Sequence, residues 1–203
     1  MTAPRFHGSF PRADVSLPAP LPEVALLGRS NVGKSSLLNA LVGQRIAKVS
    51  GTPGKTRALN VFEAVIADAP LYLLDLPGYG YSRASQGERR GFRLLLGHVL
   101  RRACLAGVVW LLDVRRDLSP DDRTMLEAFV AAGTRVLAAV TKGDKLPRGQ
   151  RLERAGALRD AVSVEEDQII LTSAHTGEGV PALREAIGAL ARAAHPCGGR
   201  RES

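Results

Sequence analysis

Residues 26–36 read LLGRSNVGKSS, and Gly28, Gly33, Lys34 and Ser35 occupy every fixed position of the pattern GxxxxGK[ST]. The apolar run EVALL (23–27) leads into it, and SSLLNALV (35–42) follows with the composition of a helix. A loop in that setting holds phosphate for reasons of backbone geometry. Glycines let the amides turn toward an anion with no Cβ in the way, and the next helix offers unpaired N–H groups at the positive end of its dipole. Lys34 would set its ammonium against the β and γ phosphates of a nucleotide. The Ser35 hydroxyl is the compact oxygen donor that Mg²⁺ needs for near-octahedral coordination. The stretch therefore predicts a strand, a phosphate cradle and a helix in that order, the first unit of an α/β fold.

Beyond residue 42, apolar runs keep alternating with amphipathic ones. Strands are expected at LNVFEAVIA (59–67), LYLLDLP (71–77), GVVWLLDV (107–114), TRVLAAVTK (134–142) and QIILTSA (168–174). Helices are expected at ERRGFRLLLGHVLRR (88–102), PDDRTMLEAFVAA (120–132), RLERAGALRDAV (151–162) and VPALREAIGALARAA (180–194). With the first strand and helix this makes a sheet of six strands and five helices. Near-continuous apolar strands suit a mostly parallel sheet covered by helices on both faces, a three-layer sandwich. The two strands adjoining over 59–74 predict a hairpin, and hence one antiparallel edge strand. Residues 1–20, with Pro4, Pro11, Pro18 and Pro20, read as a flexible extended arm, 21–195 as one nucleotide-binding domain, and 196–203 (PCGGRRES) as a disordered tail.

The 203 residues are 45% hydrophobic, enough for the core of one domain. A net charge of +8 attracts polyanions, RNA foremost, although an arginine-rich coding bias produces the same number. No window approaches eighteen uninterrupted apolar residues and the start has no apolar segment, so a cytoplasmic protein without a membrane partner is expected. Cys104, Cys197 and the four histidines are scattered, without metal-ligand spacing.

Three more segments belong with the cradle. In YLLDLPGYG (72–80), Asp75 closes an apolar strand where it would reach Mg²⁺ through a water, and the Gly78 amide would reach the γ phosphate. In VSGTPGKTRALN (49–60), a threonine would close over the γ phosphate and the metal; Thr56 is preferred and Thr52 is the alternative. In TKGDK (141–145), the Asp144 carboxylate can accept from the N1–H and 2-amino groups of guanine. Adenine offers neither donor there and leaves the charge unpaired, so Asp144 argues for GTP over ATP. Lys142 would lay its stem along the base, and TSA (172–174) would cap the base O6 through a backbone amide.

Taken in order, GRSNVGKSS, TPGKT, DLPGYGYS, TKGDK and TSA resemble the EngB family, also called YsxC or YihA, of small bacterial GTPases. The resemblance runs over about residues 20–192 and implies a Ras-like P-loop GTPase fold. By position it implies that Gly28, Arg29, Ser30, Asn31, Val32, Gly33, Lys34, Ser35 and Ser36 hold the phosphates and that Gly54, Lys55 and Thr56 form the first switch. Asp75, Leu76, Pro77 and Gly78 would form the second switch; Thr141, Lys142, Gly143 and Asp144 the base site; and Thr172, Ser173 and Ala174 its backing. Ser35, Thr56 and Asp75 would serve the metal, and Lys34, Thr56, Gly78 and Asn31 the hydrolysis. The resemblance further implies GTP and GDP as ligands, Mg²⁺, a precursor of the large ribosomal subunit and its RNA as partners, and a role in cell division and septation; a monomer is expected.

Three positions depart from the commoner GTPase pattern. Thr141 stands for Asn, which shortens the tie between base loop and cradle, and Gly143 stands for Ala, which is expected to loosen that loop. Tyr79 stands where a glutamine orients the attacking water, so intrinsic turnover is expected on the order of 10⁻³ s⁻¹ or below. Asn31 is either a K⁺ ligand, as in similar bacterial GTPases, or the donor of a loop hydrogen bond. Two other readings share the cradle. A P-loop nucleotide kinase has Asp144 against it, and a membrane-linked or tRNA-modification GTPase usually carries a further domain or membrane span.

Overall fold

The computed structural model describes residues 3–47, 58–80, 85–163 and 165–194. The strands are β1 (Arg5–Phe10), β2 (Glu23–Gly28), β3 (Leu59–Ile66), β4 (Ala69–Asp75), β5 (Leu105–Asp113), β6 (Val136–Thr141) and β7 (Ile169–Leu171). The helices are α1 (Lys34–Val42), α2 (Gln86–Leu100), α3 (Pro120–Ala131), α4 (Arg148–Val162) and α5 (Val180–Arg192). Among the described residues no helix is long and apolar enough to cross a membrane.

One sheet carries all the strands in the order β1-β3-β4-β2-β5-β6-β7. Its central strands are apolar at successive positions because both faces are covered. Val24 and Leu26 of β2 and Val109 and Leu111 of β5 pack under α1 and α5, against Leu38, Leu41, Leu183 and Ile187. Their neighbours Ala25, Leu27, Val108 and Trp110 face the opposite layer, against Leu96 and Val99 of α2 and Met125 and Phe129 of α3. Two helices begin with reciprocal caps, Ser85 with Glu88 and Ser119 with Asp122, each satisfying amides that a first turn leaves free.

The sheet has seven strands, not the six expected. The additional strand, β1, comes from the lead-in read as a flexible arm. Pro4 and Pro11 bracket the segment without entering it, and RFHGSF pairs antiparallel with β3, with Phe6 opposite Phe62 and a bulge before Gly8. His7 Nε2 lies 2.7 Å from Glu63 Oε2 and edge-on to Tyr72. Further along, the Arg102 guanidinium holds the carbonyls of Ala13 and Val15 together with the Glu23 carboxylate. The expected antiparallel strand is β3, but β1 covers its outer side, so it is not an edge. The tail at 196–203 lies outside the described residues.

Candidate nucleotide-binding site

The cradle forms where β2 runs out at the carboxyl edge of the sheet. Gly28 leaves no room for a side chain, since a Cβ there would lie 2.8 Å from Val32 Cγ1 and 3.0 Å from Leu111 Cβ. Asn31 and Gly33 both hold positive φ, 62° and 103°, and Gly33 is the N-cap from which α1 starts at Lys34. Arg29, Ser30, Val32, Ser35 and Ser36 complete the turn and the first helical residues. Lys34 Nζ pairs with Asp75 Oδ1, and Asn60 Nδ2 donates to Asp75 Oδ2 at 3.1 Å. Asp75 is only 3% exposed, so this carboxylate is buried with a cation already against it.

Residues 76–80 are laced onto the cradle. Leu76 donates its amide to the Leu26 carbonyl, Tyr79 to that of Gly28, and Ser30 to that of Tyr79, at 3.2, 3.3 and 3.0 Å. Pro77 is buried beside them. A Cβ on Gly78 would stand 3.0–3.1 Å from Ser30, so the two backbones touch. The Tyr79 phenol is 6% exposed, donates to Asp122 Oδ1 and accepts from Trp110 Nε1, both at 2.7 Å. Burial, then the Asp122 charge, pushes its pKa well above the usual range. The side chain at the glutamine's place is thus buried beneath the cradle.

The purine end is assembled from the ends of β5, β6 and β7. The Thr141 hydroxyl sits 2.7 Å from the Val32 carbonyl and 3.2 Å from that of Leu112, making the tie to the cradle in spite of its short side chain. Lys142, at φ 63°, spans from Asp113 to the Asn31 carbonyl. Gly143 does not loosen the loop: its amide donates to the Thr172 carbonyl at 3.0 Å, and a Cβ would press on Leu171 at 3.3 Å. The Ser173 hydroxyl donates to Asp144 Oδ1 at 2.6 Å, and chiefly that bond, with Lys145 beside it, holds the carboxyl below its usual range. A cleft of about 240 Å³ joins the two ends, lined by Gly33, Ser36, Thr141, Lys142, Asp144 and Ala174.

Sequence reasoning missed Asn60 and Asp113. Asp113 ends β5 as Asp75 ends β4, and that parallel was the available signal. Burial pushes the Asp113 carboxyl up, but the bonds from Arg115 and Lys142 outweigh it and hold it well below the usual range. Thr52, Gly54, Lys55 and Thr56 lie outside the described residues.

Residues 23–142 match the sequence profile of the family described as 50S ribosome-binding GTPase. The probable GTP-binding protein EngB of Gemmatimonas aurantiaca is 43% identical over 169 residues, 82% of this chain and 81% of that protein. The chain belongs to the EngB family of GTP-binding proteins. The EngB protein of Bordetella pertussis is 45% identical over 160 residues, 76% of this chain and 77% of its own length. A crystal structure of a probable EngB superposes with a TM-score of 0.67 at 22% identity, over 84% of this chain and 98% of that one, which shows the shared fold. That fold is the Ras-like P-loop sandwich, and the activity of the EngB family's GTPase domain is hydrolysis of GTP.

Proposed function

We propose that this protein is a GTP-driven switch that takes Mg²⁺ with its nucleotide, works as a cytoplasmic monomer on a precursor of the large ribosomal subunit through ribosomal RNA, and serves normal cell division and septation. The observation that carries the nucleotide part is the continuity of the site. Thr141 and Lys142 bond the loop bearing Asp144 directly to the carbonyls of Val32 and Asn31, so one cleft presents amides at one end and a fixed carboxylate at the other.

The amides of Gly33–Ser36 at the start of α1 and the Lys34 ammonium would bind the phosphates, the rest of the Gly28–Ser36 turn would shape the cradle, and the Gly78 amide would meet the γ phosphate. When bound, Mg²⁺ neutralises charge on the β and γ oxygens. The residues present suit it. Drawing Lys34 to phosphate leaves Asp75 as a buried unpaired charge, and a hard cation with oxygen ligands, held from Asp75 and the Ser35 hydroxyl with Thr56 from the first switch, balances that charge. Hydrolysis is slow, on the order of 10⁻³ s⁻¹ or below, because the buried Tyr79 phenol orients no water. The exposed Asn31 side chain, free of hydrogen bonds among the described residues, is the K⁺ ligand; equal hydrolysis rates in K⁺ and Na⁺ at matched ionic strength would remove that role.

Support for an RNA partner comes from the family description and from unneutralised charge. Arg89, Arg90, Arg93 and Arg101, along and just past α2, are exposed and make no ion pair among the described residues, whereas Arg151, Arg154 and Arg159 of α4 are each paired. Free guanidinium groups along one helix are what a phosphate backbone attracts. The part in cell division rests on the family resemblance. Sedimentation of cell extract with GDP, GTP and a non-hydrolysable analogue tests the docking. Co-migration with large-subunit precursors in one nucleotide state supports it, and absence from ribosomal fractions in every state refutes it.

A further inference from the structure

Asp113 lies at the end of β5 opposite Thr141, its parallel partner at the end of β6. Its side chain is 6% exposed. Oδ1 accepts from the backbone N–H and Nε of Arg115 at 3.1 and 2.9 Å, and Oδ2 accepts from Arg115 Nη2 at 2.7 Å and from Lys142 Nζ at 2.9 Å. Lys142 also donates to the Asn31 carbonyl at 2.5 Å, and its stem passes over Gly33 with Cε 3.7 Å from where a Cβ would stand. Both joined residues hold left-handed backbone, which persists in non-glycine residues only where the surroundings enforce it.

A free lysine side chain is rich in rotamers, and a ligand packing on its stem must remove that freedom. A buried carboxylate in a fixed place removes that freedom before the ligand arrives. We propose that Asp113 is a positioning residue of the purine end: through the Lys142 ammonium it presets the stem along which the base lies, and so raises affinity for GDP and GTP alike. This rests on the guanine site proposed above. The competing role is purely structural, with Asp113 shaping the loop after β5 through Arg115.

Displacement titrations with a fluorescent guanine nucleotide separate the two. Asp113→Ala should weaken GDP and GTP by about tenfold each, the size of a lost bond to a charged group, with their ratio unchanged. Asp113→Asn keeps an acceptor oxygen and should recover part of the loss. Arg115→Ala should stay within about twofold of wild type, and in a Lys142→Ala background Asp113→Ala should add less than about twofold. A full loss in that background, or an Arg115→Ala loss equal to that of Asp113→Ala, overturns the proposal. Should the alanine variant not fold, Asp113→Asn with and without Lys142→Ala gives the same cycle. The guanine site itself fails by a different result, an Asp144→Asn protein that keeps its preference for GTP.

Discussion

Replacing Arg102 with alanine tests how the lead-in is held to the domain. The guanidinium meets Glu23 Oε2 and Oε1 at 2.5 and 2.6 Å, and it also donates to the carbonyls of Ala13 and Val15. Glu23 is 3% exposed, and Arg102 is largely buried with it, so solvent does little to screen the pair. Removing one partner of a buried pair leaves an uncompensated charge, which costs about 3–5 kcal/mol. For a domain of this size each kcal/mol lowers Tm by about 2–4 °C, so Arg102→Ala should melt about 6–20 °C below wild type. Circular dichroism melts at fixed protein and nucleotide concentration measure the shift, and limited proteolysis should show faster cleavage between residues 11 and 21. The double variant Glu23→Gln/Arg102→Met removes both charges and should recover most of the lost stability. A drop of less than about 2 °C, or a double variant no better than the single one, would mean that this ion pair does not hold the lead-in.

Tyr79→Phe deletes a hydroxyl that satisfies both Trp110 and Asp122, and should cost about 1–3 kcal/mol in stability while changing single-turnover GTP hydrolysis less than about threefold, since the phenol is remote from water. A hydrolysis rate that collapses while the fold stays intact would place the phenol in the chemistry. Asp144, whose folded-state pKa is depressed chiefly by Ser173, stays ionised as acid is added. Its contribution is present above the ordinary aspartate value of about 3.9 and is lost only as pH falls through the lower folded value, so GDP affinity should be flat from about pH 8 to about pH 5. Titration across that range checks it, and a decline centred near pH 6 would implicate another group.

The cradle was legible because its information is local: eleven consecutive residues name the turn, the ammonium and the hydroxyl. Asp75 and Asp144 were legible for a related reason: Asp75 closes an apolar strand, and Asp144 follows the end of another by three residues. Asp113 closes a strand in the same way, yet its meaning depends on register. Only the pairing of Asp113 with Thr141 sets it beside Lys142, and nothing local encodes that. Tyr79 was read for what a phenol cannot do, while its burial against Trp110 and Asp122 joins three elements far apart in the chain. The β1 strand escaped notice because the surrounding prolines dominate the composition, and its partner residues in β3, from Leu59 opposite Phe10 to Glu63 opposite Arg5, lie far along the chain. Gly143 misled for the opposite reason. Backbone freedom argues for a looser loop, but the absent side chain is what lets the loop press on Leu171 and Thr172.

Calorimetric titration of wild type and Asp144→Asn with GTP, ATP and xanthosine triphosphate shows whether a carboxylate opposite the phosphate loop reads the purine edge. An amide in place of that carboxylate offers a donor to the 2-oxo group of xanthine and loses one acceptor for guanine. Wild type should take GTP and reject the other two, and the variant should prefer xanthosine triphosphate. A variant that still prefers GTP, or a folded wild-type protein that gives no heat with guanine nucleotides, would contradict it.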